Sequence, residues 1–137
     1  MIIAVTDTRP LIRYATGKFD QIGRKALKVF QGADNEEGDR LVRVPTVCLA
    51  ESFALIQAGR IELKAPFEHW VQELSRNRSF IISDLTSEIV VQASKLLQIK
   101  DPFDKLIAAT AICLDLPLIT QDDKIIKANV VEILWDE

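Results

Sequence analysis

The chain has 137 residues, 48% of them hydrophobic and 27% charged, which is the composition of one ordinary globular domain with its own core and excludes a disordered or low-complexity chain. Its formal net charge of −3 argues against a protein that holds nucleic acid by overall charge, since such proteins are usually basic. An acidic site in which bound cations supply the positive charge stays open.

Ile2 to Thr6 is a short β-branched run and predicts a strand buried on both faces. Asp7-Thr8-Arg9-Pro10 supplies helix-capping residues and a first-turn proline, so a short helix follows through Leu11, Ile12 and Ala15 and ends at Gly17. A second helix is predicted from about Asp20 to Phe30, with Ile22, Ala26, Leu27 and Phe30 at helical spacing. Ala33 to Arg40 is the most polar stretch and reads as an exposed loop. Leu41 to Val44 is the second strand. Pro45-Thr46 opens a helix through about Ala58, closed by Gly59. Pro66 starts a helix carrying Phe67, Trp70, Val71 and Leu74. Phe80 to Ser83 is the third strand, and Thr86-Ser87-Glu88 opens a helix to about Leu97. Asp101-Pro102 opens the next helix, which ends near Leu114. Leu118-Ile119-Thr120 is the fourth strand, and Val130 to Leu134 the fifth. Short buried strands alternating with helices predict an α/β fold, helices flanking a mostly parallel sheet of about five strands, in a single domain over 1–137.

Four acids stand out. In a parallel α/β sheet, ligands bind beyond the carboxyl ends of the strands. Asp7 falls where the first strand ends and Asp122 just after the fourth, so both are expected at one edge of the sheet. Each has an ordinary alternative as the cap of a following helix. Glu51 shares a helical face with Val47, Cys48, Ala54 and Leu55, where a carboxylate is costly unless paired, protonated or bound to metal. Its alternative is a position at the helix edge, reaching solvent. Asp104 lies in the first turn of the helix that Asp101 caps, and the small residues Ala108 and Ala111 behind it let that helix pack closely. We therefore assign Asp101 to the cap and Asp104 to the site. Carboxylates gathered in one pocket repel each other, and Mg²⁺ or Mn²⁺ with oxygen ligands relieves this. Such ions also activate water and neutralise a phosphate under attack.

At these residues the chain resembles the PIN-domain nucleases, and most closely the VapC-like toxins of toxin–antitoxin pairs. Ile3-Ala4-Val5-Thr6-Asp7-Thr8 is similar to the family's opening strand and first acid, and Leu49-Ala50-Glu51 to its helical glutamate. The run from Asp101-Pro102-Phe103-Asp104 to Ala111 resembles its most specific motif, and Leu116-Pro117-Leu118-Ile119-Thr120-Gln121-Asp122 its closing strand and fourth acid. The sequence departs from the pattern before Asp101, where Ile99-Lys100 stands in place of a histidine and a small or basic residue. Asp123 follows Asp122 directly, and the Thr-x-Asp spacing from Thr120 favours Asp122 as the fourth acid. The resemblance implies a PIN-like three-layer sandwich and an endoribonuclease dependent on Mg²⁺ or Mn²⁺. In it Asp7, Glu51, Asp104 and Asp122 are both metal ligands and catalytic residues. It further implies an RNA substrate, a homodimer and inhibition by a cognate antitoxin protein.

The remaining features are ordinary. Cys48 and Cys113 form no Cys-x-x-Cys pair and read as buried reduced thiols, in keeping with a cytoplasmic protein. No apolar run approaches the ~20 residues of a membrane span. Thr16-Gly17-Lys18 lacks both the earlier glycine and the following Ser/Thr of a phosphate loop. His69, the sole histidine, reads as a surface or packing residue, and Phe67 and Trp70 as core or dimer contacts. Arg9 and Lys105 neighbour two of the acids and are candidate phosphate contacts, and Thr8 and Thr120 candidate hydrogen-bond donors to the acids. The alternatives are a non-catalytic PIN-like module binding RNA or protein, and an α/β phosphatase, for which Arg9 stands where a second aspartate is needed.

Overall fold

The computed structural model of the protein describes residues 2–35 and 40–136; residues 36–39 of the expected polar loop lie outside them. Among these residues, five strands form one wholly parallel sheet: β1 (Ile2–Thr6), β2 (Leu41–Pro45), β3 (Phe80–Ser83), β4 (Leu118–Ile119) and β5 (Ile133–Leu134), in the order β3-β2-β1-β4-β5. Among the described residues, seven α-helices make the crossovers. They are α1 (Thr8–Ala15), α2 (Arg24–Asp34), α3 (Thr46–Gln57), α4 (Phe67–Arg76), α5 (Ser87–Ser94), α6 (Pro102–Leu114) and α7 (Asp123–Ala128). The α/β sandwich expected from the alternation is thus present, with every strand pair parallel.

The core lies where β1, β2 and β4 meet the helices. Ala4, Val5, Val42, Val44, Leu118 and Ile119 are fully buried, as strands covered on both faces require. In α6, Ala108, Ala109 and Ala111 are also fully buried, and the helix packs on α5 and α3. This close packing is the one that its small residues predicted.

The helix expected from Asp20 is divided. A 3₁₀ turn occupies Phe19–Gln21, and α2 begins only at Arg24. The cause is distant in sequence. The Trp135 carbonyl accepts from the Ala26 amide at 2.9 Å, and Asp136 accepts from the Arg24 amide at 3.1 Å, so the chain's last segment fixes the start of α2. A Cβ on Gly23 would lie 2.6 Å from the Trp135 carbonyl oxygen, which is backbone and cannot swing aside. Gly23→Ala is therefore expected to cost about 1–3 kcal/mol, the usual range for overpacking, measured by urea unfolding. An unchanged midpoint would show that the two segments separate freely.

Other boundaries also shift. α2 continues to Asp34, into the expected loop. α5 stops at Ser94 rather than Leu97, yet Leu96 and Ile99 remain buried, so apolar spacing outlasts the helix. The fifth strand shrinks to Ile133–Leu134. Cys48 is buried, whereas Cys113 is only half-buried; both are free thiols. His69 is exposed on α4, with Nε2 3.7 Å from Glu73. Phe67 and Trp70 are half-buried, their ring centroids 5.9 Å apart, and Trp70 packs against the core. No helix among the described residues is long and apolar enough to cross a membrane.

Successive crossovers go from β1 to β2 on one side, whereas β4 pairs on the other side of β1. The strand order reverses at β1, and a crevice opens there at the carboxyl edge.

Candidate metal centre

Asp7 stands at that reversal. Its amide donates to the Ile119 carbonyl at 2.9 Å, tying the end of β1 to β4. Only 6% of the residue is exposed. Oδ1 accepts from the Thr8 amide at 2.8 Å as the cap of α1, and Oδ2 accepts from the Thr120 hydroxyl at 2.6 Å. The same hydroxyl accepts from the Asp122 amide at 3.0 Å, so Thr120 joins the first acid to the loop bearing the fourth. Capping and site placement are therefore compatible at Asp7, and the same holds for Asp122. Its Oδ1 accepts from the amides of Lys124 and Ile125 at the start of α7, which leaves Oδ2 available.

The other acids arrive on helices. A helix leading into a parallel strand must begin at the sheet's carboxyl edge, so the start of α6 lies beside the ends of β1 and β4. Asp101 caps this helix, accepting from the Asp104 amide at 3.1 Å, and Asp104 sits in its first turn. Glu51 comes from α3, half-buried on the face expected. One pocket of about 620 Å³ is lined by Asp7, Glu51, Asp101, Asp104 and Asp122. Asp123 does not line it; it is exposed and pairs with Lys127 at 3.0 Å.

The electrostatics follow from this crowding. Burial pushes the Asp7 carboxyl up, against the opposing pull of its Thr120 and Thr8 hydrogen bonds, and nearby Asp122 adds to the rise. Glu51 is raised by burial, then by Asp7 and Asp101, with Thr8 and Arg9 opposing. Asp104 is pushed up to about 7 by burial and by the charges of Asp122, Asp7, Asp101 and Glu51. All three carboxyls thus bind protons more readily than in water, which marks a site short of positive charge.

The donors suit a hard divalent cation. Glu51, Asp101 and Asp104 each offer a carboxylate oxygen, and those oxygens all lie within 4.8 Å of one another. That trio differs from the expected quartet: it includes the cap residue Asp101, while Asp7 and Asp122 complete the pocket around it. The Thr8 hydroxyl is buried without a hydrogen-bond partner among the described residues. It lies close enough to Glu51 to temper that acid's rise. An orphaned buried hydroxyl beside clustered carboxylates fits a site built around an additional polar group. All-oxygen coordination matches Mg²⁺ or Mn²⁺.

Basic residues frame the acids. Arg9 lines the pocket, while the other sequence candidate, Lys105, does not. Arg13, Arg60 and Lys124 line it as well, and the sequence reading missed them. Arg13 carried a signal, since it lies one helical turn beyond Arg9. Arg60 carried none, because it follows the end of a helix and enters through tertiary packing.

The family model of the PIN domain matches residues 4–131. No curated protein sequence matches the chain significantly. Several solved structures do match in shape. The VapBC2 structure from Rickettsia felis, bound to a DNA fragment from its promoter, aligns with 99% of this chain and 100% of its own at TM-score 0.69 and 16% identity. A toxin–antitoxin complex from Klebsiella pneumoniae aligns over 96% of this chain and 95% of its own, at 0.64 and 19%. DNA-bound VapBC from Salmonella typhimurium aligns over 97% of each chain, at 0.66 and 16%. At such identities these likenesses establish the shared fold. With the family match spanning nearly all of the sequence, the chain belongs to the PIN domain family.

Proposed function

We propose that this protein is a metal-dependent endoribonuclease that hydrolyses RNA phosphodiester bonds, and that it acts as the toxin of a toxin–antitoxin pair. The observation that carries the reading is the gathering of five carboxylates in one pocket at the strand-order reversal, with the carboxyls of Asp7, Glu51 and Asp104 raised above their ordinary values. Asp7 and Asp104 would be direct ligands of Mg²⁺ or Mn²⁺, with Glu51 and Asp122 binding the ion through water or orienting the attacking water. A divalent ion held there supplies two things, a lowered pKa for water and neutralisation of charge on the phosphate.

The chain's own groups do the rest. Thr120 holds Asp7 in one orientation and, through the Asp122 amide, fixes the neighbouring loop. Asp101 holds the first turn of α6 and so positions Asp104. Arg9 and Lys124, on the pocket wall, would contact the phosphate. Hydrolysis then breaks the P–O bond as water adds to phosphorus, the proton lost by water passing to solvent or a carboxylate and the leaving oxygen gaining one.

The toxin assignment draws on the resemblance to VapC-like toxins and on the similarity to VapBC structures and to a toxin–antitoxin complex, and it implies an antitoxin protein as partner. A homodimer belongs to the same reading, supported by the exposed Val90, Val91 and Leu97, which are 47%, 56% and 80% accessible. The test is incubation of structured RNAs with the purified chain. Cleavage is expected with Mn²⁺ or Mg²⁺, and none with chelator. Cleavage that persists in chelator, or none with either ion, would remove the proposal; sedimentation of the same sample as a monomer would remove the dimer.

A further inference from the structure

A second groove, of about 700 Å³, adjoins the acid pocket and shares Arg9, Arg13 and Arg60 with it. Its wall adds Lys18 and Lys64, against the single acid Glu62. None of these basic residues takes part in an ion pair among the described residues. Cations gathered in one groove without an ion pair among the described residues are the footprint of a polyanion.

The construction repeats itself. α1 ends with Gly17 at φ 75°, where the Lys18 amide donates to Arg13 O at 2.8 Å and the Gly17 amide to Tyr14 O at 3.2 Å. α3 ends with Gly59 at φ 73°, where the Arg60 amide donates to Leu55 O at 2.9 Å and the Gly59 amide to Ile56 O at 3.0 Å. Both are the left-handed glycine turn that closes a helix, and each hands on directly to a cation. Because α1 packs on α3, the two turns deliver Lys18 and Arg60 to one groove. The negative end of each helix dipole favours those cations where they stand. Arg13 is held between Gln21 O at 3.1 Å and Gln121 Oε1 at 2.9 Å, and Gln121 itself lines the acid pocket. It bridges the two depressions with its guanidinium already oriented.

We propose that this groove carries the backbone of a single-stranded RNA to the acids, its phosphates held by Arg13, Lys18, Arg60 and Lys64. The inference rests on the ribonuclease reading for the chemistry at the acids, but the groove binds strand without cleaving it. Its volume is that of a pocket enclosing one drug-sized ligand, the scale of a short nucleotide stretch and not of a duplex. Ile61 and Leu63, between the cations, offer apolar surface for the bases.

The experiment measures fluorescence anisotropy of a labelled 12-nucleotide uridine RNA across a salt series, in chelator so that nothing is cut. Lys18→Gln/Arg60→Gln/Lys64→Gln is expected to weaken binding at least tenfold at low salt. The slope of log K against log salt should flatten by about 2, at ~0.7 per lost phosphate contact on single strands. Glu62→Gln, which removes the groove's acid, is expected to tighten binding about threefold at low salt by the same charge argument, a gain that misfolding cannot produce. Unchanged affinity and slope in both variants overturn the proposal. So does wild-type binding of a matched RNA duplex or a polyglutamate peptide as tightly as of the single strand. Failure of the nuclease reading is visible separately, as absent Mn²⁺-supported cleavage with this binding intact.

Discussion

Asp104→Asn is expected to reduce Mn²⁺-supported RNA cleavage by ~10²–10³-fold or more, the loss typical of removing one preorganised electrostatic group from an active site, while making the metal-free chain more stable. The two effects have one cause. Asp104 faces Asp122, Asp7, Asp101 and Glu51, and its carboxyl is pushed up to about 7 by burial and those charges. Asparagine keeps the size and removes the charge. It cannot replace an anionic oxygen on a hard cation, so activity falls. It also ends the repulsion, so the empty fold gains. A shift of this size corresponds to several kcal/mol if taken in full, but Asp104 is only half-buried and solvent screens it; about 1 kcal/mol at pH 8 is the appropriate scale. Asp101 reaches the backbone amide of residue 104, so the cap survives the substitution. Cleavage rates and melting in chelator measure the two halves. A variant that cleaves like wild type means that the activity belongs to a contaminant, and one that melts lower in chelator means that Asp104 is held by a partner and not strained by neighbours. Asp7→Asn should show the same loss of cleavage, because Asp7 is the most buried of the acids lining the pocket.

Metal and pH should act together on stability. The folded-state pKa values of Asp7, Glu51 and Asp104 all lie above their ordinary ones. The native protein therefore holds protons that the unfolded chain releases, and stability falls as pH rises from the ordinary carboxylate range. For Asp104 the fall begins near its ordinary value of 3.8 and is complete above about 7. From this site alone, the metal-free chain is expected to melt higher at pH 5 than at pH 8. A divalent ion reverses the order, since it binds the ionised carboxylates and competes with protons. At one hundred times its dissociation constant, Mn²⁺ would add about 2.7 kcal/mol, or roughly 10 °C in a domain of this size, at pH 8. The gain should shrink at pH 5. Calorimetric scans at fixed ionic strength decide the matter. A Mn²⁺ shift as large at pH 5 as at pH 8 would mean that the ion binds elsewhere, away from these acids.

Much of the fold was legible because local chemistry specified it. The β-branched Ile2–Thr6 run, the Asp101-Pro102 helix start and the glycines closing α1 and α3 each depend on neighbours a few residues away, and the structure places them as expected. The Thr120-x-Asp122 spacing was legible for the same reason: the Thr120 hydroxyl accepts from the amide two residues on, and Asp122 rather than Asp123 lines the pocket. The misplaced boundaries had distant causes. Nothing near Asp20 announces that the Trp135 carbonyl will fix the start of α2 at Arg24. The helix expected to reach about Leu97 ends at Ser94, because the chain continues in i→i−3 turns that keep Leu96 and Ile99 buried without helix.

The sequence by itself determined which acids this protein has, and that Asp7 and Asp122 follow strands, Asp104 lies in a helix's first turn and Glu51 lies within a helix; a divalent cation among them is what it led us to expect. Only the tertiary structure decided that Asp101 is at once a cap and a neighbour of Glu51 and Asp104, and that Arg13 and Arg60 share the pocket of Asp7. Capping is settled by a few consecutive residues. Repulsion, shifted pKa values and a common groove are settled by separations through space between residues far apart in the chain, which exist only once α3 and α6 have packed beside the ends of β1 and β4.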